Sequence, residues 1–266
     1  MLHDVIRKTL FDQRRSYPAW CAGVLLVVAM YVALWPSIRR QPSMQDFLDQ
    51  MPEALRNLFA MSGADMSTPV GYIQIELLSF MGPLLVLLYA VAAGSSAVAG
   101  EEDRGTLDLL LATPTPRTRI VVEKAMAMAV GTVGLCALLG VALVAEGALV
   151  DLALPVGHVA AAMLHLALLG LVFGALALAV GAGTGRLALS RAVPVLLAVV
   201  GYVVNGLGGL VDWLRPLQNL SPFYQYAAHD PLRQGISWVS VGVAVATVVV
   251  LVVVAAVAFD RRDVAS

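Results

Sequence analysis

Residues 101–124 are crowded with charge, having nine charged side chains among 24 residues. An acidic cluster is followed by Gly105, a short run of leucines, the helix breaker Pro114 and a basic patch. A short helix with exposed leucines and charged flanks is typical of a surface that binds another protein. The alternative is that the leucines pack on a membrane interface and the charges only face water. These residues alone favour neither. The candidate contact residues are Glu101, Glu102, Gly105, Thr106, Leu107, Leu110, Leu111, Pro114, Arg117 and Lys124.

Enzyme chemistry finds little support in the rest of the sequence. His158, His165 and His229 lack the spacing to cysteines or carboxylates that a metal site requires. No group of a nucleophile with a general base is recognisable. The glycine-rich run 181–186 lacks the Lys and the spacing of a phosphate-binding loop. We therefore expect no catalytic residue, no metal and no cofactor in this chain.

The long apolar runs contain few polar side chains. His165, Tyr202 and Asn205 are the candidate residues of a substrate pathway, because polar groups at membrane depth are often functional. A single His at such a depth more often makes a hydrogen bond between helices, which is the alternative for His165.

The composition indicates the environment in which these residues lie. Apolar residues make up 59% of the chain and charged residues only 13%, against about 25% charged residues in an average soluble domain. The mean hydropathy is +0.83. A soluble chain of this size could not bury so much apolar surface. With a net charge of −1, a nucleic-acid binder is also excluded, and an integral membrane protein is predicted.

Six stretches are long enough to cross a bilayer as helices. Each contains a run of about 20 or more uncharged residues, which spans roughly 30 Å of hydrocarbon at about 1.5 Å per residue. The runs do not alternate in polarity as the strands of a membrane β-barrel do. We therefore predict an all-α fold in a single transmembrane domain of residues 1–266. The predicted spans are about residues 16–38, 77–100, 121–145, 159–185, 192–211 and 236–259.

The basic residues predict the orientation. Twelve Lys and Arg residues lie in the segments on one side of the spans and five on the other. Because basic loops stay in the cytoplasm, both termini are predicted to be cytoplasmic, in a multi-pass protein of the cell membrane. The tail 2–17 has the pattern of an amphipathic helix at the inner interface, or simply of a basic anchor.

Two longer segments are predicted on the outer side. The loop 39–76 has apolar residues at helical spacing from Met44 to Phe59, which indicates an amphipathic helix. The segment 212–235 is rich in aromatic side chains that favour a membrane–water interface. Its candidate residues are Ser221, Pro222, Phe223, Tyr224 and Asp230.

The charged loop resembles the signature of type-2 ATP-binding-cassette (ABC) exporter permeases. In that signature an acidic-Gly-Thr-Leu-x-x-Leu-Leu-x-x-Pro stretch is followed by a basic residue and then a Lys. A second resemblance lies in residues 220–226 with 230–232 and Gly235, which are similar to the family's outer stretch before the last span. The six-span plan agrees, so the similarity covers essentially the whole chain. The residues on the first pattern are Glu102, Gly105, Thr106, Leu107, Leu110, Leu111, Pro114, Arg117 and Lys124.

The resemblance implies a function and partners. Such permeases form dimers, here with a second copy or a related permease, in the lipid bilayer. The loop between spans two and three sits in a cleft of a separate ATPase subunit, which binds ATP and Mg. The family's counterpart of residues 212–235 is a pair of short re-entrant helices that cap the outer exit. The chain is therefore expected to be the permease subunit of an exporter.

Two questions stay open at the level of sequence. A non-ABC membrane scaffold or a secondary carrier is the alternative function, although no span holds the pair of acidic residues expected of a proton- or sodium-coupled carrier. The spans are almost uniformly Ala, Val, Leu and Gly. A hydrophobic or amphipathic substrate is therefore expected.

Overall fold

The computed structural model describes residues 5–40, 52, 54–55, 65–107 and 115–262. Regular structure in these residues is helical throughout, which confirms the all-α prediction. Six helices are long and apolar enough to span a membrane, and the shortest, with 21 residues, reaches about 32 Å. The spans are α2 (Tyr17–Ile38), α3 (Pro69–Ala97), α5 (Arg117–Gly147), α6 (Val156–Thr184), α7 (Leu187–Leu207) and α11 (Trp238–Arg261). The shorter helices are α1 (Val5–Gln13), α4 (Ala99–Asp103), α8 (Arg215–Leu220), α9 (Pro222–Ala227) and α10 (Pro231–Gln234).

The fourth span is the centre of the bundle and the most deeply buried of the six. It packs against the second, third, fifth and sixth spans, while the first span packs on the third. Its contact with the second span requires glycine, because a Cβ on Gly94 would collide with the backbone carbonyl of Gly174. Small residues at a helix crossing allow this close approach.

The second span begins at Pro69, eight residues before its predicted start. Thr68 caps it, because its Oγ1 accepts a hydrogen bond from the Gly71 N–H at 3.1 Å. The charge-free criterion excluded this first part of the helix because Glu76 lies in it, half-buried.

Part of the second span, Gln74–Met81, is wound as a wider π-helix. In that winding the carbonyl of Leu78 would accept from the N–H of residue 83, but Pro83 has none. The hydroxyl of Tyr226 donates to this carbonyl instead, at 2.8 Å. The irregular stretch therefore ties the second span to α9.

The N-terminal helix docks on the bundle. The Val5 N–H donates to Glu123 Oε2 at 2.9 Å, and the Tyr89 hydroxyl donates to Gln13 Oε1 at 3.1 Å. The C-terminal end of the sixth span lies at the same end of the bundle, as shown by the hydrogen bond from Arg117 Nη1 to the carbonyl of Arg262 at 2.7 Å. Glu123 and Arg117 both lie in the first turns of the third span. We call this end of the bundle the terminal face.

At the far end of the bundle, α8, α9 and α10 connect the fifth span to the sixth. Short helices were implied here by the family resemblance. The predicted amphipathic helix of the first outer loop lies almost wholly outside the described residues, which include only 52 and 54–55 between 41 and 64.

Candidate functional site

Two of the three acidic residues of α4, Glu101 and Glu102, are bound into the terminal face. Glu101 is 5% exposed and Lys124, on the third span, is 2% exposed. Lys124 Nζ donates to Glu101 Oε1 at 2.7 Å, and Thr106 Oγ1 donates to the other carboxylate oxygen. A buried ion pair is tolerated only when further hydrogen bonds satisfy its groups, and Thr106 supplies one here.

The carboxylate of Glu101 is ionised at neutral pH. Burial alone would raise its pKa, but the hydrogen bond and positive charge of Lys124, together with the Thr106 hydroxyl, outweigh burial. The pKa therefore lies below the ordinary value of 4.5.

The turn after α4 has a defined geometry. The Thr106 N–H donates to the carbonyl of Glu101 at 2.8 Å, and the Gly105 N–H donates to that of Glu102 at 2.9 Å. Gly105 has φ +68. These two bonds with a left-handed glycine form a Schellman motif, which ends a helix rigidly. Gly105 is therefore required by the backbone at this position.

Glu102 connects α4 to the ends of two spans. Arg262, directly after the sixth span, donates through Nη2 to Glu102 Oε2. Its Nη1 donates to the carbonyl of Ala182, near the end of the fourth span, at 3.2 Å. Gly185 has φ +67, and a Cβ there would lie 2.6 Å from Arg262 Nη1. This contact therefore also depends on glycine.

The structure does not place Leu107 among exposed leucines that could contact a partner. It is 2% exposed and belongs to a buried cluster that includes Val121 and Phe259, so it packs inside the bundle and is not an exposed docking residue. Arg117 packs 5.7 Å from the centre of the Phe259 ring. Leu110, Leu111 and Pro114 lie outside the described residues.

A second candidate site is a groove of about 410 Å³ between the second and fifth spans. Its lining is almost entirely apolar. Tyr202 lies in it, and its hydroxyl is buried without a hydrogen-bond partner among the described residues. The lining residues are Phe80, Pro83, Leu84, Leu87, Leu88, Val91, Ala92, Arg191, Val195, Ala198, Val199, Tyr202 and Phe223.

The candidate outer segment closes one end of this groove. Pro222 begins α9 in the first helical turn, where its missing N–H is not needed. Ser221 Oγ accepts from the Phe223 N–H at 3.2 Å and donates to the carbonyl of Gly201 at 2.9 Å. The Phe223 ring then meets Tyr202 edge-on at 5.4 Å.

Tyr224 and Asp230 lie away from the groove lining. Tyr224 is half-buried in α9, and Asp230 precedes α10 with φ +45. Burial raises the pKa of Asp230 above its ordinary value, although Arg233, 3.4 Å from its carboxylate, opposes that shift.

Comparison with known families settles what kind of chain this is. The family of ABC-2 family transporter proteins matches residues 4–264. The chain belongs to this family. No curated protein matches the sequence. The resemblance in the charged loop is thus confirmed at the level of the family, and this ABC-2 chain is a multi-pass membrane component of a transporter.

The three candidate pathway residues of this ABC-2 chain separate. Tyr202 lies in the groove, whereas neither His165 nor Asn205 lines it. His165 is buried, and its Nε2 accepts from the Ser237 N–H at 3.2 Å. Ser237 is the N-cap residue of the sixth span, so this bond joins two spans at a helix end and agrees with the structural alternative for His165. The backbone carbonyl of Asn205 accepts from Gln218 Nε2 at 2.9 Å.

Sequence reasoning missed two residues of these sites. Arg262 and Arg191 counted only toward the basic side of the membrane, yet the first binds Glu102 and the second lies in the groove. The signal for Arg191 was that it is the charged residue of a helix that is long enough to span the membrane. Arg262 offered none, since its partner is 160 residues away.

Among the described residues, no group of His, Cys, Asp and Glu side chains could hold a metal ion.

Proposed function

We propose that this chain is the transmembrane permease subunit of an ABC exporter. It would couple ATP hydrolysis on a separate ATPase subunit to export of a hydrophobic or amphipathic compound. The observation that carries the proposal is that α4, in the loop matching the family's coupling signature, is bound to the third span through Lys124 and to Arg262 after the sixth span. Arg262 in turn binds the end of the fourth span. Family membership supports it.

The terminal face is the cytoplasmic face in this proposal, because the basic residues lie on its side. A partner can shift a conformational equilibrium only through its different affinity for the two states. A flexible loop would present the ATPase with nearly the same binding surface in both states of the permease, so ATPase closure would not shift the equilibrium between those states. The Schellman motif and the buried pair of Glu101 with Lys124 make α4 a rigid lever.

The partners follow from the same proposal. ATP and Mg bind to the ATPase subunit and not to this chain. The first, fifth and sixth spans bury less of their surface than the other three, which leaves faces for lipid and for a second permease subunit, identical or related. The groove beside the fifth span would then form part of the pathway.

The test is reconstitution of the purified chain with a candidate ABC ATPase subunit. We expect ATP hydrolysis to rise when the wild-type chain is present. Glu101→Gln should lower this stimulation about tenfold or more, as loss of a charge-assisted hydrogen bond of about 1.5–3 kcal/mol predicts. Asp103→Asn is the matched control, because Asp103 is exposed on the same helix.

Two results would contradict the proposal. One is hydrolysis that does not depend on the chain at all. The other is transport by the chain in proteoliposomes with no ATPase, which would favour a secondary carrier.

A further inference from the structure

The groove between the second and fifth spans is strongly asymmetric along its length. One end lies near the terminal face, where the fifth span begins at Leu187. The other end is closed by the rings of Tyr202, Phe223 and Phe80, with Phe80 5.9 Å from Tyr202. The wall between the two ends consists of aliphatic side chains. A molecule in the groove therefore meets different chemistry at each end.

Arg191 is the charged residue of the groove lining. Its Nε donates to Ser95 Oγ at 3.4 Å, and Ser95 is fully buried on the second span. Among the described residues, no carboxylate lies within ion-pair distance of Arg191. Arg191 is itself exposed, at the end of the groove near the terminal face, where its guanidinium can bind an anion through charge-assisted hydrogen bonds.

The dimensions restrict the ligand. Arg191 and Tyr202 are eleven positions apart on one helix, which places them about 16 Å apart along its axis. The cavity volume of about 410 Å³ lies toward the lower end of the range of about 300–1,000 Å³ for small-molecule sites. The groove therefore suits one extended apolar tail.

We propose that the groove binds a single-chain amphiphile with an anionic head, such as a carboxylate or a sulfate, and that this is the class of compound exported. The head lies on Arg191 and the tail runs toward Tyr202 and Phe223. The role as cargo rests on the proposed function, but binding to the purified chain does not require an ATPase.

The test measures binding to the purified chain in a neutral detergent. The probes are dansyl-undecanoic acid and its uncharged methyl ester, whose fluorescence reports on entry into an apolar site. Because Arg191 is exposed, the wild-type chain should bind the acid about two- to fivefold tighter than the ester, as ion pairs of exposed groups predict. Arg191→Gln should abolish this preference, and Arg191→Lys should retain part of it.

Arg186→Gln is the matched control. Arg186 is an exposed residue that precedes the same helix and does not line the groove, so its loss should leave the preference for the acid unchanged. Unchanged elution in size-exclusion chromatography shows that each variant is folded.

Four results would overturn the proposal. The first is equal affinity of the wild-type chain for the acid and the ester. The second is an equal loss of the preference for the acid in the Arg186→Gln and Arg191→Gln variants. The third is full displacement of the acid by an equal concentration of phosphatidylglycerol, which would make the groove a site for bilayer lipid. The fourth is a disulfide between two copies of the Val199→Cys variant that leaves binding of the acid unchanged. Such a result would mean that a second copy covers the groove and that the acid binds elsewhere.

Failure of the proposed function would look different. In that case the acid would still bind with the Arg191 dependence, while the chain would not stimulate the ATPase.

Discussion

Single hydroxyl groups in this protein have unequal roles. The Tyr226 hydroxyl satisfies the Leu78 carbonyl, which the π-helical winding and Pro83 leave without a backbone donor. The Tyr202 hydroxyl is buried without a partner among the described residues. A buried carbonyl left without a donor costs free energy, whereas removing an unpaired hydroxyl costs little.

These two tyrosines give a matched pair of variants. Tyr226→Phe should lower the free energy of unfolding by about 1–3 kcal/mol, because it leaves the Leu78 carbonyl unsatisfied. Tyr202→Phe should change it by less than about 0.5 kcal/mol. Thermal unfolding in detergent measures both, and equal shifts would contradict the assignment.

Two left-handed glycines on the terminal face give a second pair. Gly105→Ala should cost roughly 1–2 kcal/mol, which is the cost of a left-handed backbone at a residue with a Cβ, because beyond its chain neighbours no atom of the described residues lies within 4 Å of a Cβ built there. Gly185→Ala should cost more, since its Cβ would also displace Arg262 from Glu102. The unfolding temperatures of the two variants decide this, and a larger shift in Gly105→Ala would refute it.

At the scale of elements, α4 is held to the third span by one buried ion pair. Removing one partner leaves the other charge buried, which costs about 3–5 kcal/mol, whereas replacing both costs less than the sum. Lys124→Met should therefore destabilise the chain strongly, and adding Glu101→Gln should recover part of the loss. Strictly additive effects in denaturation would mean that the two groups do not interact.

The same pair predicts a pH dependence. The pKa of Glu101 is lower in the folded chain than its ordinary value of 4.5. Its stabilising contribution is therefore complete above 4.5 and is lost as the pH falls through the folded value. The difference in unfolding temperature between wild type and Glu101→Gln should shrink from about pH 6 to about pH 3.5. A constant difference would show that the carboxylate is not the stabilising group.

For the whole molecule, local patterns predicted local features and missed contacts between distant segments. Charge-free runs found the six spans, whereas the Gly-Thr-Leu pattern marked Gly105 as a candidate contact residue and did not predict its left-handed turn at the end of α4. The burial of Leu107 could not be read from its neighbours, because Phe259, in the same cluster, is distant in the chain. The groove likewise exists only where the second and fifth spans meet.

Arg262 is the contact with the widest consequences, since it joins α4, the fourth span and the end of the sixth span. Loss of its charge-assisted hydrogen bond, worth about 1.5–3 kcal/mol, should increase local opening of α4 about tenfold or more. Hydrogen exchange of residues 98–107 in the purified chain measures this for Arg262→Gln. Arg261→Gln is the control, because Arg261 is exposed one residue earlier. Equal protection of α4 in both variants would mean that Arg262 does not hold α4 to the ends of the fourth and sixth spans.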